Sequence, residues 1–122
     1  MKDSLVRTLR YILVELRIIR QPRFVIRVRT TQPASKDLGD DEIVAVVAGD
    51  DTKWLCFFCP CGSGEVVRLA VSKTRRPAWT YTADRLGRPT IHPSIWQLDG
   101  CRCHFWVKRG EIDWCRDSGS HS

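Results

Sequence analysis

Long uncharged apolar runs are missing from this sequence. The longest near the N-terminus, Tyr11 to Val14, is flanked by Arg10 and Glu15. That leaves neither a signal-peptide core nor a membrane-spanning helix, and the expected location is cytoplasmic. Internal repeats and low-complexity tracts are also absent, which argues against repeat architectures and biased linkers. Acidic residues are scarce at the start. Residues 1–30 hold eight Lys and Arg against Asp3 and Glu15, so the whole net charge of +6 lies there and the remainder balances. Such a segment attracts nucleic acid, anionic lipid or an acidic protein by the same Coulomb force, and does not choose among them. What is present suits one small folded domain: 122 residues, 43% hydrophobic and 28% charged, too apolar for a disordered chain.

From Ser4 to Ile19 the apolar residues Leu5, Leu9, Ile12, Leu16 and Ile19 step by four and three, the period of one helix face. Arg7, Arg10 and Arg17 lie largely off that stripe. The spacing therefore predicts a basic amphipathic helix, capped by Asp3 or Ser4, ended by Pro22 and packed on a small sheet. Phe24 to Val28 alternates as a half-buried strand, and Thr30 to Glu42 reads as a mobile loop or linker. Strand-like runs follow at Ile43 to Val47, Trp54 to Phe58, Glu65 to Val71, Ala78 to Thr82, Thr90 to Trp96, Cys103 to Lys108 and Glu111 to Cys115. Turn residues such as Gly49-Asp50, Asp99-Gly100 and Arg109-Gly110 separate many of them. The fold class expected is mainly β, a small antiparallel sheet with a zinc-ribbon-like knuckle, plus one N-terminal amphipathic helix.

Six cysteines without an export signal point to metal rather than disulfides. Cys56, Cys59 and Cys61 form one group and Cys101, Cys103 and Cys115 another. A tight knuckle and a distant hairpin supplying two thiolates each is the layout of a structural Zn2+ site. Pro60 and Gly62 suit a knuckle whose backbone amides point at sulfur. Cys59, Cys61 and Cys101 are the first choices as ligands. Pairing the last two strands about Arg109-Gly110 sets position 115 opposite 104, so Cys115, Cys103 or His104 could complete the tetrahedron, with Cys115 preferred. Cys56, in an apolar strand, is expected as a buried thiol. The domain plan is then residues 1–22 as the basic helix, 23–116 as a single zinc-stabilised β domain and 117–122 as a flexible tail.

The knuckle Cys59-Pro60-Cys61-Gly62, the segment Pro93-Ser94-Ile95 and the run Gly100-Cys101-Arg102-Cys103-His104-Phe105-Trp106, followed by Gly110 and Ile112-Asp113-Trp114, resemble a known family. Its members are small bacterial cysteine-rich zinc proteins encoded with ubiquitin-like proteins and their activating and conjugating enzymes. The resemblance spans residues 54–115. It implies a serine peptidase of deubiquitinase-like character that acts on a ubiquitin-like protein or its conjugates. Position by position, it makes Ser94 the nucleophile and His104 the base, with Cys59, Cys61 and Cys101 on the metal. Where the family has a third knuckle cysteine this chain has Ser63, and Cys103 and Cys115 are the candidate replacements.

The chemistry can also be weighed on the residues alone. A serine hydroxyl needs a base and oxyanion donors. Of the three histidines, His121 is in the tail and His92 lies about 7 Å along a strand from Ser94, at roughly 3.3 Å per residue. His104 reaches Ser94 if their strands are neighbours, as the short Leu98 to Gly100 connection favours. A carboxylate would fix the imidazole tautomer, and Asp113, on the expected face of His104 and Cys115, is chosen for it over Glu111. Most of the five tryptophans belong to a small core, with one or two free to line a groove for an extended tail. The rival reading is a non-catalytic zinc-ribbon-like module that binds protein or, less favoured, nucleic acid through the basic helix and exposed aromatics, Lys73 to Arg76 before Trp79 included.

Overall fold

The structure is a computed structural model that describes residues 2–19, 21–72, 77–98 and 100–119. The basic run Lys73 to Arg76, Asp99 of the expected turn and His121 lie outside them. Among the described residues a helix, α1 (Lys2–Glu15), precedes eight strands: β1 (Val25–Arg29), β2 (Glu42–Ala48), β3 (Asp51–Phe58), β4 (Val66–Ala70), β5 (Thr80–Ala83), β6 (Pro89–Trp96), β7 (His104–Lys108) and β8 (Glu111–Trp114). The fold is mainly β, as the alternation predicts, but the strands divide into two four-stranded sheets, β1-β2-β3-β4 and β5-β6-β7-β8. All neighbours pair antiparallel except β1 and β2, which are parallel.

A parallel pair needs a return crossover, and that is the work of residues 30–41. Of the loop or linker expected there, the structure shows a loop, and it is anchored. Leu38 is buried, a short 3-10 turn spans Ser35–Asp37, and the Glu42 carboxylate accepts from the Gly39 amide at 3.0 Å and from Arg27 at 3.1 Å.

Period-2 alternation sends Ile43, Ala45, Leu55 and Phe57 to one face, where they join Ile91, Ile95, Phe105 and Val107 of the second sheet in one core. Val44, Val46 and Cys56 take the opposite face with Leu38, and Cys56 is the buried thiol expected. Phe57 bridges the sheets. Its ring meets Phe24 edge-on at 5.3 Å and Phe105 at 6.4 Å. Phe57→Ala is expected to cost about 3–5 kcal/mol, read as a lower urea midpoint at unchanged slope; a loss below about 1 kcal/mol would contradict the shared core.

The helix differs from its expectation in three ways. It begins at Lys2, so Asp3 and Ser4 lie inside it, and it ends well before Pro22. The stop is a Schellman motif: Arg17 sits at φ 59°, its amide donates to Val14 O at 3.0 Å, and the Ile18 amide donates to Leu13 O at 2.9 Å. No glycine marks it. The third difference is orientation. Val6, Arg10, Leu13 and Val14 are the half-buried positions, and Arg10 donates to Leu86 O at 2.5 Å, while Leu5, Leu9, Ile12 and Leu16 are exposed. The apolar stripe faces away from the sheets.

At the other end, the β7–β8 turn runs through Gly110 at φ 77°, where a Cβ would stand 2.6 Å from the Phe24 carbonyl. Its carbonyl accepts from the Phe24 amide and its amide donates to Pro89 O, so this turn ties the start of β1 to β6. The expected register holds: Phe105 pairs with Trp114, and the Cys115 amide donates to His104 O at 2.9 Å.

Candidate functional site

Strand β6 pairs normally with β7 at Ile95 and Trp96, then departs from it, so that residues 92–94 stand opposite Trp106 alone before pairing resumes at Ile91 and Val107. The His92–Pro93 peptide within this bulge is cis. The bulge re-aims the Ser94 side chain toward the neighbouring strand. Ser94 Oγ lies 2.9 Å from His104 Nε2. The Ser94 carbonyl accepts from Trp79 Nε1 at 3.1 Å, which ties the bulge to the residue just before β5, itself bridged to Val71 after β4.

His104 is held from several directions. Its amide donates to Ser118 Oγ at 2.9 Å, and its Nδ1 lies 2.6 Å from Asp117 Oδ1. The Trp96 indole stacks on the imidazole with centroids 4.4 Å apart and planes 3° from parallel. The ring is thus fixed in plane and in direction, and the Asp117 carboxylate, an acceptor only, assigns the Nδ1 proton. Nε2 is left with its lone pair toward Ser94.

Asp113 is not the group at Nδ1. It pairs across from Trp106, two rungs along the ladder from His104, and its carboxylate takes Lys108 Nζ at 2.9 Å. Asp117 reaches the ring because the chain turns back after β8, with the Ser118 amide on Cys115 O at 3.1 Å and the Gly119 amide on Arg102 O at 2.7 Å. These bonds join residues 117–119 of the expected tail to Arg102, His104 and Cys115.

The cysteines gather as Cys59, Cys61, Cys101 and Cys103, whose sulfurs all lie within 4.8 Å of one another. Cys59 and Cys101 Sγ are 3.5 Å apart, close to the ~3.8 Å edge of a tetrahedron with ~2.3 Å metal–sulfur bonds. Cys115 is not among them. Alternation along β7 explains this: Cys103 shares the core-facing side with Phe105 and Val107, whereas Cys115 lies opposite His104 on the other side. His104, bonded to Ser94, is likewise outside the cluster.

The knuckle turns through Gly62 and Gly64, both at positive φ, and the Cys59 amide donates to Glu65 O at 2.8 Å. Burial opposes ionisation of Cys61, but hydrogen bonds from Ser63 side chain and backbone, and from Cys59 and Cys103, outweigh it and bring it down to about 7. Burial and the neighbouring thiols push Cys59 up, and Cys103 up to about 12. Four crowded thiols cannot all ionise unaided. A cation removes that repulsion, so the donor set fits a thiophilic metal ion. All six cysteines are reduced.

Two cavities flank Ser94 in sequence. One, about 510 Å³, is lined by Pro77, Ala78, Trp79, His92 and Pro93. The other, about 520 Å³, is lined by Trp96, Leu98, Arg102, Asp117 and Gly119.

The residues missed from sequence are Asp117 and Trp96. Asp117-Ser118-Gly119 is turn chemistry directly after the position paired with His104, which is a signal for a return toward that ring. Trp96 stands opposite His104 in the ladder, and an aromatic there is the signal for a stack.

Fold and site together define a two-sheet β protein with a serine–histidine–aspartate hydrogen-bonded line beside a four-cysteine cluster able to hold a metal ion. Residues 28–115 match the family model BubE, a bacterial ubiquitination-like system serine protease, and the chain belongs to this family. Ser94, His104 and the four clustered cysteines fall within the matched segment; α1 and Asp117 fall outside it. No curated protein and no solved structure matches the chain. No helix among the described residues is long and apolar enough to cross a membrane.

Proposed function

We propose that the protein is a serine hydrolase, stapled by zinc, that cuts at the C-terminal tail of a bacterial ubiquitin-like protein or its conjugates. The observation that carries this reading is the unbroken line from Ser94 Oγ through His104 to Asp117, at 2.9 and 2.6 Å. Asp117 holds the proton on Nδ1, Nε2 takes the Ser94 proton as Oγ attacks the carbonyl carbon, and the imidazolium returns it to the leaving group. The Asp117 charge and the Trp96 face offset the positive ring in between. Cys59, Cys61, Cys101 and Cys103 would hold Zn2+, which supplies structure there: with four protein ligands no position stays open for water. The two cavities give an extended tail places for side chains on either side of the scissile bond. The family's place in a ubiquitination-like system supports a ubiquitin-like partner.

Asp117→Asn tests the line. It is expected to lower kcat by about 10⁴-fold, the scale seen when tautomer control is lost, on a ubiquitin-like protein carrying a C-terminal peptide extension. Asp113→Asn removes only an exposed pair with Lys108, worth about 1 kcal/mol or less, and should leave kcat near wild type. Equal effects of the two substitutions would overturn the assignment.

A second reading concerns α1. Leu5 is 72% and Leu16 63% exposed, and with Leu9 and Ile12 they make one unburied apolar row beside arginines. This row favours a docking role, which in the non-catalytic alternative would be the whole function. Deleting residues 1–19 is expected to raise KM for the protein substrate by about tenfold or more, the value of one or two buried leucines, while labelling by a small serine-reactive probe is unchanged. An unchanged KM would remove the docking role.

A further inference from the structure

Cys115 is left over by both the cysteine cluster and the serine site, yet it stands against the latter. Its Sγ, a ring nitrogen of His104 and a carboxylate oxygen of Asp117 all lie within 4.8 Å of one another. Sulfur, imidazole nitrogen and carboxylate oxygen converging from one side, with Cys115 and His104 half-buried and Asp117 exposed, is a three-ligand set with a fourth position open to water. We propose that His104, Cys115 and Asp117 form a second, inhibitory site for a thiophilic divalent cation of the zinc and cadmium class.

The His104 ligand atom is Nδ1, since that is the nitrogen facing Asp117. Coordination there displaces the Nδ1 proton, and the neutral ring carries its one proton on Nε2 instead. Nε2 then faces Ser94 as a donor and has no lone pair to take the hydroxyl proton, so the base is lost. The thiol proton of Cys115 goes to solvent and a metal–sulfur bond replaces it. Without metal, burial and then the Asp117 and Asp113 carboxylates push the Cys115 thiol up, which keeps it protonated and out of the hydrogen-bonded line. The same carboxylates favour a bound cation. Since the line and the site share His104 and Asp117, serine activation and cation binding exclude each other.

Cation uptake stands by itself; the inhibition rests on the hydrolase reading. The test titrates the full chain, carrying one equivalent of zinc for the four-cysteine cluster, with cadmium and reads it by cadmium NMR, beside Cys115→Ser. Wild type should show a resonance of mixed sulfur, nitrogen and oxygen ligation, separate from any all-sulfur signal, and Cys115→Ser should lose the mixed signal while keeping the other. In parallel, saturating cadmium should slow fluorophosphonate labelling of wild type by about tenfold or more and leave the labelling of Cys115→Ser within about twofold. Absence of the mixed resonance in wild type, or its persistence in Cys115→Ser, overturns the proposal whatever the protein catalyses. Failure of the cadmium-free wild type, its four-cysteine cluster loaded, to label at all counts against the hydrolase reading, and the NMR result still decides the site.

Discussion

Cys103→Ser, or treatment with a strong chelator, is expected to unfold the β domain. Four-thiolate zinc sites contribute about 10–16 kcal/mol of apparent binding free energy at neutral pH, against a total stability of about 5–15 kcal/mol for a domain. The cluster joins the β3–β4 knuckle to the β6–β7 connection, so its loss separates the two sheets at the end nearest Ser94. Without metal, burial opposes ionisation of Cys59 and Cys103, so the cluster is left as protonated thiols that link nothing. Metal content and near-UV circular dichroism should fall together for Cys103→Ser. For Cys115→Ser and Cys56→Ser both should persist, since neither thiol is in the cluster. A chelated protein that still melts cooperatively at the original temperature would show that the cysteines do not staple the fold.

Ser94→Ala is expected to lower turnover of an extended ubiquitin-like substrate by about 10⁴–10⁶-fold, leaving the residual rate that binding alone supports. Stability should change little, because the hydroxyl is half-buried and its partner His104 keeps its bonds to Asp117 and Ser118 and its stack on Trp96. His104→Ala should match the loss in rate, since nucleophile and base act as a unit and their effects do not add. The double substitution should then be no slower than either single one. A Ser94→Ala protein within about tenfold of wild type would move the chemistry elsewhere.

What the sequence made legible was whatever period and register control. Alternation located all eight strands, and pairing about Arg109-Gly110 placed position 115 opposite 104, as observed. The short link after Trp96 put Ser94 and His104 on neighbouring strands. Two-sheet division was not legible, because alternation says which face is buried and not which sheet buries it. Nor is the direction of α1: its period holds, but from sequence the row Leu5, Leu9, Ile12, Leu16 reads as core-facing, since nothing local distinguishes a face that meets the sheets from one left open.

Cys115 and Asp113 stand apart from the cysteine cluster and from the His104 Nδ1 contact for reasons of face and length. Strand pairing sets both on the face of His104, which carries the serine line. The four-cysteine cluster lies on the opposite face through Cys103. Beyond Trp114 the ladder stops, and a turn held by Ser118 and Gly119 decides which acid meets the imidazole. Turn closure depends on long-range bonds to His104 and Arg102 that no periodicity announces.

The most direct measurement is labelling of the protein carrying one equivalent of zinc, enough for the four-cysteine cluster alone, with a fluorophosphonate probe, the modified residue being mapped by mass spectrometry. The account predicts a single adduct on Ser94, lost in a folded His104→Ala variant and strongly slowed in Asp117→Asn. An adduct on another residue, or labelling of Ser94 that ignores His104, would contradict it.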